Sequence, residues 1–154
     1  MTTESEFNRY SIALFDFEQA VAYATEAKTH SAATLAHEAL LFAAIVSYYR
    51  PFSPNEKNKN TLAASQLTTN NFSPFTPEEM SLHEKLKELR NKALAHSEIH
   101  FNPTRRDPES GIISSRPFSL LSQSVDIIGL IHIASKLAEE CHRKRADHVY
   151  GHRP

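Results

Sequence analysis

Apolar residues spaced alternately three and four positions apart restrict this chain to helical folds more than any other feature. Between residues 6 and 28 they recur at Phe7, Tyr10, Leu14, Phe17, Val21 and Ala24. This spacing predicts a helix with one apolar stripe, which must be buried against other helices. Because the chain has 154 residues and only three glycines, we predict one all-α domain over residues 1–154.

A second helix is predicted over about residues 31–49, from a polar break near Ser31 to the proline at Pro51. Its predicted buried stripe is Leu35, Ala39, Phe42 and Val46. The short link to the first helix favours an antiparallel pair. Residues 51–76 then read as a long loop, with room for a short helix around residues 61–67. This loop is a candidate partner-binding segment.

The third helix has the clearest start. Thr76 is the predicted N-cap, Pro77 takes the first helical position, and Glu79 completes a capping box. The apolar stripe of this helix is Leu82, Leu86, Leu89 and Ala93. Residues 97–117 follow as a hairpin-like excursion or an irregular segment, since apolar residues flank a polar stretch with Pro and Gly.

The fourth helix is predicted to start near Phe118, which completes a bundle of four main helices. Its broad apolar face comprises Leu121, Val125, Ile128, Ile131, Ala134, Leu137 and Cys141. Gly129 lies inside this pattern, where glycine costs about 1 kcal/mol relative to alanine, so it predicts a close approach to another helix. We expect about the last ten residues to fray.

Net charge, cysteine content and the length of apolar runs limit the class of protein and its expected location. The formal net charge is −1, so no global positive field attracts nucleic acid. Cys141 is the single cysteine, which excludes an intrachain disulfide and a multi-cysteine metal cluster. No apolar run approaches the ~20 residues that span a membrane, and Glu4 and Glu6 are unlike a secretory signal. We therefore expect a cytoplasmic protein that neither crosses a membrane nor needs a cofactor.

One run of residues carries side chains suited to catalysis, Arg90-Asn91-Lys92-Ala93-Leu94-Ala95-His96. Arginine holds phosphate oxygens bidentately, and histidine exchanges a proton near neutral pH. The other charges from Glu84 to Lys92 have an opposite charge three or four positions away, whereas Arg90 does not. The partner of Arg90 is therefore a ligand, another subunit or another helix. A salt bridge with Asp126 is the structural alternative.

His96 continues the apolar stripe of the third helix, so capping or core packing is an alternative to catalysis. On an ideal helix, Arg90 and His96 lie about 120° apart around the axis and about 9 Å apart along it. One copy of the motif is therefore an incomplete active site. Two copies that face each other across a two-fold axis supply two arginines and two histidines to one phosphate, so catalysis requires a dimer.

An arginine, a polar residue and then a histidine on a helix of a small all-α bundle resembles the signature of the HEPN superfamily. The resemblance covers the helical layout of most of the chain, and the motif is its one specific part. It implies a homodimer with the motifs at the interface. Many members are metal-independent endoribonucleases in toxin–antitoxin or antiphage-defence systems, and others are non-catalytic.

The resemblance also implies a role for each motif residue. Arg90 would bind and stabilise the scissile phosphate, and His96 would act as general base or general acid. Asn91 matches the polar position and would orient groups around the site. Glu98 stands where one toxin subgroup has a tyrosine, so regulation through that tyrosine is not expected. RNA and an antitoxin or other protein are the implied partners. The alternative is a non-catalytic interaction module in which Arg90 and His96 are structural.

Other polar groups have weaker functional interpretations. His96 with His100, and His148 with His152, have the spacing of metal ligands but no third ligand nearby. Arg50 suits the C-terminal dipole of the second helix. The basic run of residues 142–145 is either a solvated helix end or an RNA contact.

Overall fold

The computed structural model describes residues 4–54, 66–94, 104–115, 119–120 and 123–151. Within these residues the protein is all-α apart from one small hairpin, which confirms the predicted fold class. The helices are α1 (Glu4–Ala27), α2 (Leu35–Tyr49), α3 (Pro77–Leu94) and α4 (Ile127–Tyr150). Strands β1 (Thr104–Arg106) and β2 (Ile113–Ser115) form an antiparallel pair between α3 and α4.

Helix α1 is the centre of the bundle, since it packs along both α2 and α4. Its predicted stripe is confirmed: four of the six residues are buried and the other two are half-buried. The buried four are Tyr10, Leu14, Phe17 and Ala24. The ring of Phe17 contacts the rings of Tyr48, Phe52 and Phe72 at centroid distances of 5.9–6.0 Å. The core therefore joins α1 and α2 to both described ends of the long loop.

Helix α2 begins at Leu35, later than predicted, because the Thr34 hydroxyl accepts the His37 backbone N–H at 3.2 Å. The predicted buried stripe of this helix was wrong at Leu35 and Ala39, whereas Phe42 and Val46 are half-buried and Phe42 packs against the core. Leu35 is 79% exposed, Ala39 is exposed, and the buried side carries His37, Leu41, Ala44, Ile45 and Tyr48. Because α2 is apolar around most of its circumference, the spacing of its apolar residues did not decide which side faces the core.

The described ends of the 51–76 loop belong to the core. A 3₁₀ turn at Arg50–Phe52 follows α2, and a second covers Thr69–Asn71. The Leu67 backbone N–H donates to the Pro51 carbonyl at 2.9 Å, and Leu67 is 1% exposed. Leu67 is not helical; the remainder of the helix predicted around residues 61–67 lies mostly outside the described residues.

Helix α3 starts as predicted. The Thr76 hydroxyl accepts the Glu79 backbone N–H at 3.2 Å, and the Glu79 carboxylate accepts the Thr76 N–H at 2.9 Å. The same carboxylate pairs with Lys136 of α4 at 2.8 Å. Along the predicted stripe of α3, Leu86 and Leu89 are buried. The capping box therefore also attaches the start of α3 to α4.

The predicted hairpin-like excursion contains the β1–β2 ladder, with Arg106 opposite Ile113. Asp107 closes its turn by accepting the backbone N–H groups of Glu109 and Ser110 at 2.9 and 2.7 Å. Gly111 has a φ of +69°, which favours glycine.

The start predicted for the fourth helix, near Phe118, was wrong. Helix α4 begins at Ile127, where the Asp126 carboxylate accepts the Gly129 N–H at 2.8 Å as an N-cap. Upstream, the Glu38 carboxylate of α2 accepts the Ser119 hydroxyl and the Leu120 N–H, both at 2.8 Å. This segment is thus tied to α2 and does not extend α4.

The apolar face predicted for α4 is confirmed from its middle onward, because Ala134, Leu137 and Cys141 are buried. Ile128 is instead 59% exposed, and Leu121 lies outside the described residues. Gly129 does mark a close approach: a Cβ there would lie 2.9 Å from Leu82 Cδ2 of α3. None of the described helices combines the length and the apolar character needed to cross a membrane.

Candidate functional site

Arg90 lies in the last described turns of α3 and is half-buried. Its Nη1 donates to the Asn91 side-chain oxygen at 3.1 Å, so two of the three predicted site residues are in contact. The third, His96, lies outside the described residues, as does His100. The separation of the Arg90 and His96 side chains therefore stays a prediction.

The salt bridge considered as the structural alternative is absent from the described residues. Asp126 caps α4 through Gly129, and no ion pair joins its carboxylate to Arg90. Neighbouring charges on α3 do pair as their spacing predicts, Glu84 with Lys87 at 3.5 Å and Glu88 with Lys92. Among the described carboxylates Arg90 thus has no ion-pair partner.

Tyr49, the last residue of α2, lies within the electrostatic reach of Arg90. Burial raises the pKa of the Tyr49 phenol, the carboxylate of Glu84 raises it further, and the charge of Arg90 opposes both effects. Tyr49 is 7% exposed. The side of α3 that carries Arg90 therefore adjoins the C-terminal end of α2.

His83 is a buried polar residue of α3 that was not predicted as a site residue. It precedes Arg90 by seven residues, which places both on nearly the same side of α3 about 10 Å apart. His83 Nδ1 lies 2.9 Å from the Tyr48 hydroxyl. Burial lowers the pKa of His83, which favours its neutral form. Its position between Leu82 and Leu86 of the apolar stripe is the one sequence feature that indicates the burial of His83.

Arg50 has a partner that its own helix does not supply. Its Nη1 lies 3.3 Å from the Asp16 carboxylate and 3.5 Å from the Gln19 side-chain oxygen, both on α1. Burial raises the pKa of Asp16, and this effect outweighs the hydrogen bond and charge of Arg50. The prediction that Arg50 interacts with the C-terminal dipole of α2 therefore omits its main contact, the Asp16 carboxylate.

The basic run near the end of α4 packs against α1. His142 pairs with Glu18 at 3.4 Å, and Arg143 with Glu140 at 3.7 Å. Lys144 and Arg145 instead lie over aromatic rings of α1, 5.2 Å from the Tyr10 centroid and 5.5 Å from the Phe7 centroid. This end of α4 is thus a structured charged surface.

No metal centre is formed by the described part of the chain. It contains no group of three or more histidine, cysteine, aspartate or glutamate side chains with metal-binding geometry. His148 stacks on Phe7 at a centroid distance of 5.0 Å, and His152 lies outside the described residues. Cys141 is fully buried, and burial raises the pKa of its thiol to about 12, so it is unreactive in the folded protein.

An open groove of about 600 Å³ lies between α1 and α4. Its lining residues include Glu18, Val21, His132, Lys136 and His142. Arg90 and Asn91 are not among its lining residues, so this groove is separate from the predicted motif. No family model matches the chain, and no curated protein or solved structure shows significant similarity to it.

Proposed function

We propose that this protein is a metal-independent endoribonuclease of the HEPN type that acts as a homodimer. The observation that supports this most is the state of Arg90. It is half-buried on a well-capped helix, and among the described residues it has no carboxylate partner. An arginine held in this way can bind a phosphate without first breaking an ion pair.

Each residue of the motif has a role in the proposed reaction. The Arg90 guanidinium binds the scissile phosphate and stabilises the negative charge that grows on it. His96 removes the proton from the adjacent 2′-hydroxyl or protonates the departing 5′-oxygen. The 2′-oxygen bonds to phosphorus as the bond to the 5′-oxygen breaks, which yields a 2′,3′-cyclic phosphate and a 5′-hydroxyl. Asn91, through its contact with Nη1, orients the guanidinium.

The dimer follows from the spacing of the motif. On an ideal helix the two side chains are about 120° apart, so one subunit does not bring both to one phosphate. A second copy across a two-fold axis supplies the missing base or acid. The resemblance to HEPN proteins further suggests a toxin or antiphage-defence setting, with an antitoxin or other regulatory protein as a partner.

RNA cleavage in excess chelator tests this proposal. The wild type is compared with His96→Ala at matched oligomeric state, and His132→Ala serves as the control because His132 is exposed on α4. We expect cleavage by the wild type and by the control, none by His96→Ala, and none of a DNA oligonucleotide, which lacks the 2′-hydroxyl. Equal cleavage by His96→Ala, or no wild-type cleavage of mixed RNA, rejects the proposal.

One observation favours the second candidate function, a non-catalytic interaction module. Ile12 and Phe15, three residues apart on α1, are 62% and 59% exposed. Exposed large apolar side chains at helical spacing suit a protein partner. This module predicts that Ile12→Ser abolishes partner binding while Arg90→Ala only lowers stability.

A further inference from the structure

We infer that the end of the bundle where α1 begins and α4 ends binds the phosphate backbone of single-stranded RNA. The choice of RNA as ligand rests on the proposed function. Binding itself is measured without cleavage, so the two proposals can fail separately.

The side of α4 that faces the core is apolar in the middle of the helix and basic over its last two turns. Leu137 and Cys141 are buried in the core, and Lys144, Arg145 and His148 continue the same side over the last two turns. These three side chains cover the rings of two aromatic residues of α1. Their distances to those ring centroids are 5.2 Å for Lys144, 5.5 Å for Arg145 and 5.0 Å for His148.

Cations held by aromatic rings keep their charge and their N–H donors. Among the described residues, neither Lys144 nor Arg145 forms an ion pair with a carboxylate. The buried Nε of Arg145 has no hydrogen-bond partner in this part of the chain. Both positive charges are therefore available to an anion that approaches the end of the bundle.

Arg9 of α1 lies beside the same surface and is held by contacts of its own. Arg9 lies 5.9 Å from the Tyr10 centroid, and its Nη2 donates to two neutral acceptors, the Gln66 carbonyl and the Asn71 side chain, both at 2.9 Å. Two acidic groups of α4 flank this surface: Glu140 is 7% exposed and accepts the Ser73 N–H at 2.8 Å, whereas Asp147 is exposed. Lys144 and Arg145 thus place two positive charges here beside one exposed carboxylate of α4, and the Glu140 carboxylate points inward.

Several phosphates in a row suit this surface better than a membrane does. Interfacial helices need a continuous exposed apolar side, whereas the apolar side of α4 is buried in the core and its exposed apolar residues at this end are Val149 and Tyr150. Lys144 lies about 25 Å along α4 from its start, which is the end that adjoins α3. The surface is therefore remote from Arg90 and would hold a strand away from the point of cleavage.

Fluorescence anisotropy with a labelled oligouridine of about twenty nucleotides tests this inference. All proteins carry His96→Ala, so the probe stays intact. The test variant is Lys144→Gln with Arg145→Gln. The control, Lys28→Gln with Arg106→Gln, removes two exposed charges elsewhere. Charge-preserving Lys144→Arg with Arg145→Lys separates loss of charge from loss of packing.

We expect the test variant to bind RNA about tenfold more weakly at low salt. The slope of log affinity against log salt should become shallower by about 1.4, since two phosphate contacts are lost. The control and the charge-preserving variant should bind as the parent does. Equal affinity of the test variant and the control overturns the inference, as does binding to phosphatidylserine vesicles without binding to RNA. RNA binding with no wild-type cleavage rejects only the proposed enzyme.

Discussion

The Tyr48 hydroxyl and His83 Nδ1, 2.9 Å apart, form a buried hydrogen bond that joins α2 to α3. The rings of Phe52 and Tyr49 lie 4.8 and 5.2 Å from the His83 ring. A neutral imidazole satisfies this environment, whereas a charged one would lose its hydration with no described carboxylate paired to it. Protonation of His83 would therefore weaken one of the contacts that attach α3 to α2.

This dependence predicts that the free energy of unfolding falls below about pH 6.5, the ordinary histidine pKa. Because the folded-state pKa of His83 is lowered, the unfolded chain binds more protons between that lowered pKa and about 6.5. The contribution of neutral His83 is complete above this range and is lost as the pH falls through it. Urea unfolding of the wild type and His83→Gln from about pH 5 to pH 8 measures it. Parallel pH profiles of the two proteins would contradict the assignment.

Glu79 should be more important for stability than its neighbour Glu78. Glu79→Ala removes the capping box and the pair with Lys136, and we expect a loss of about 1–2 kcal/mol. The Lys136 hydrogen bond lowers the pKa of Glu79, so its contribution is present above about pH 4.5 and is lost at lower pH. Thermal unfolding at neutral pH checks this, with Glu78→Ala as the exposed control. A control that is as destabilised as Glu79→Ala would exclude this role.

Gly129→Ala should destabilise the protein although alanine favours helix. The added Cβ would lie 2.4 Å from Asp126 Oδ2 and 2.9 Å from Leu82 Cδ2, so the cap or the α3 contact must shift. We expect a loss of about 1–3 kcal/mol in urea unfolding. In the Asp126→Ala background the closer contact is gone, and the same change should cost less. Additive effects of the two substitutions would show that the cap is not what excludes a side chain.

Arg90→Ala separates the two candidate functions. If Arg90 serves a ligand, its removal abolishes RNA cleavage and changes the free energy of unfolding by less than about 0.5 kcal/mol. Arg90→Lys should also lose most activity, because lysine does not bind phosphate bidentately. A drop in melting temperature without any RNA cleavage by the wild type would instead favour the interaction module.

Local signals in the sequence were sufficient for α1 and for the start of α3. The stripe through Tyr10, Leu14 and Phe17 recurs at helical spacing along the whole of α1, which indicated its direction although Ile12 and Phe15 lie on the exposed side. Thr76 and Glu79 form hydrogen bonds across three residues, and such contacts depend on neighbouring sequence alone. These features are predictable because their energetics are local.

Non-local contacts explain what the sequence analysis missed. The start of α4 depends on Glu38 of α2, which holds Ser119 and Leu120 from 81 and 82 residues away. The partner of Arg50 is Asp16 on another helix, and the partner of His83 is Tyr48. No spacing rule connects such pairs before the helices are assembled. For the candidate site, the sequence predicted Arg90 and Asn91 as neighbours but not the proximity of Tyr49.

Alkylation of the buried Cys141 thiol can report opening of the core around α4. An alkylating reagent reacts with thiolate, and this thiol is both fully buried and raised in pKa to about 12. Modification therefore requires that the core around Cys141 open, and its rate follows the population of that open form. Because the chain has one cysteine, the rate at which the alkylated mass appears measures this opening without any engineered label.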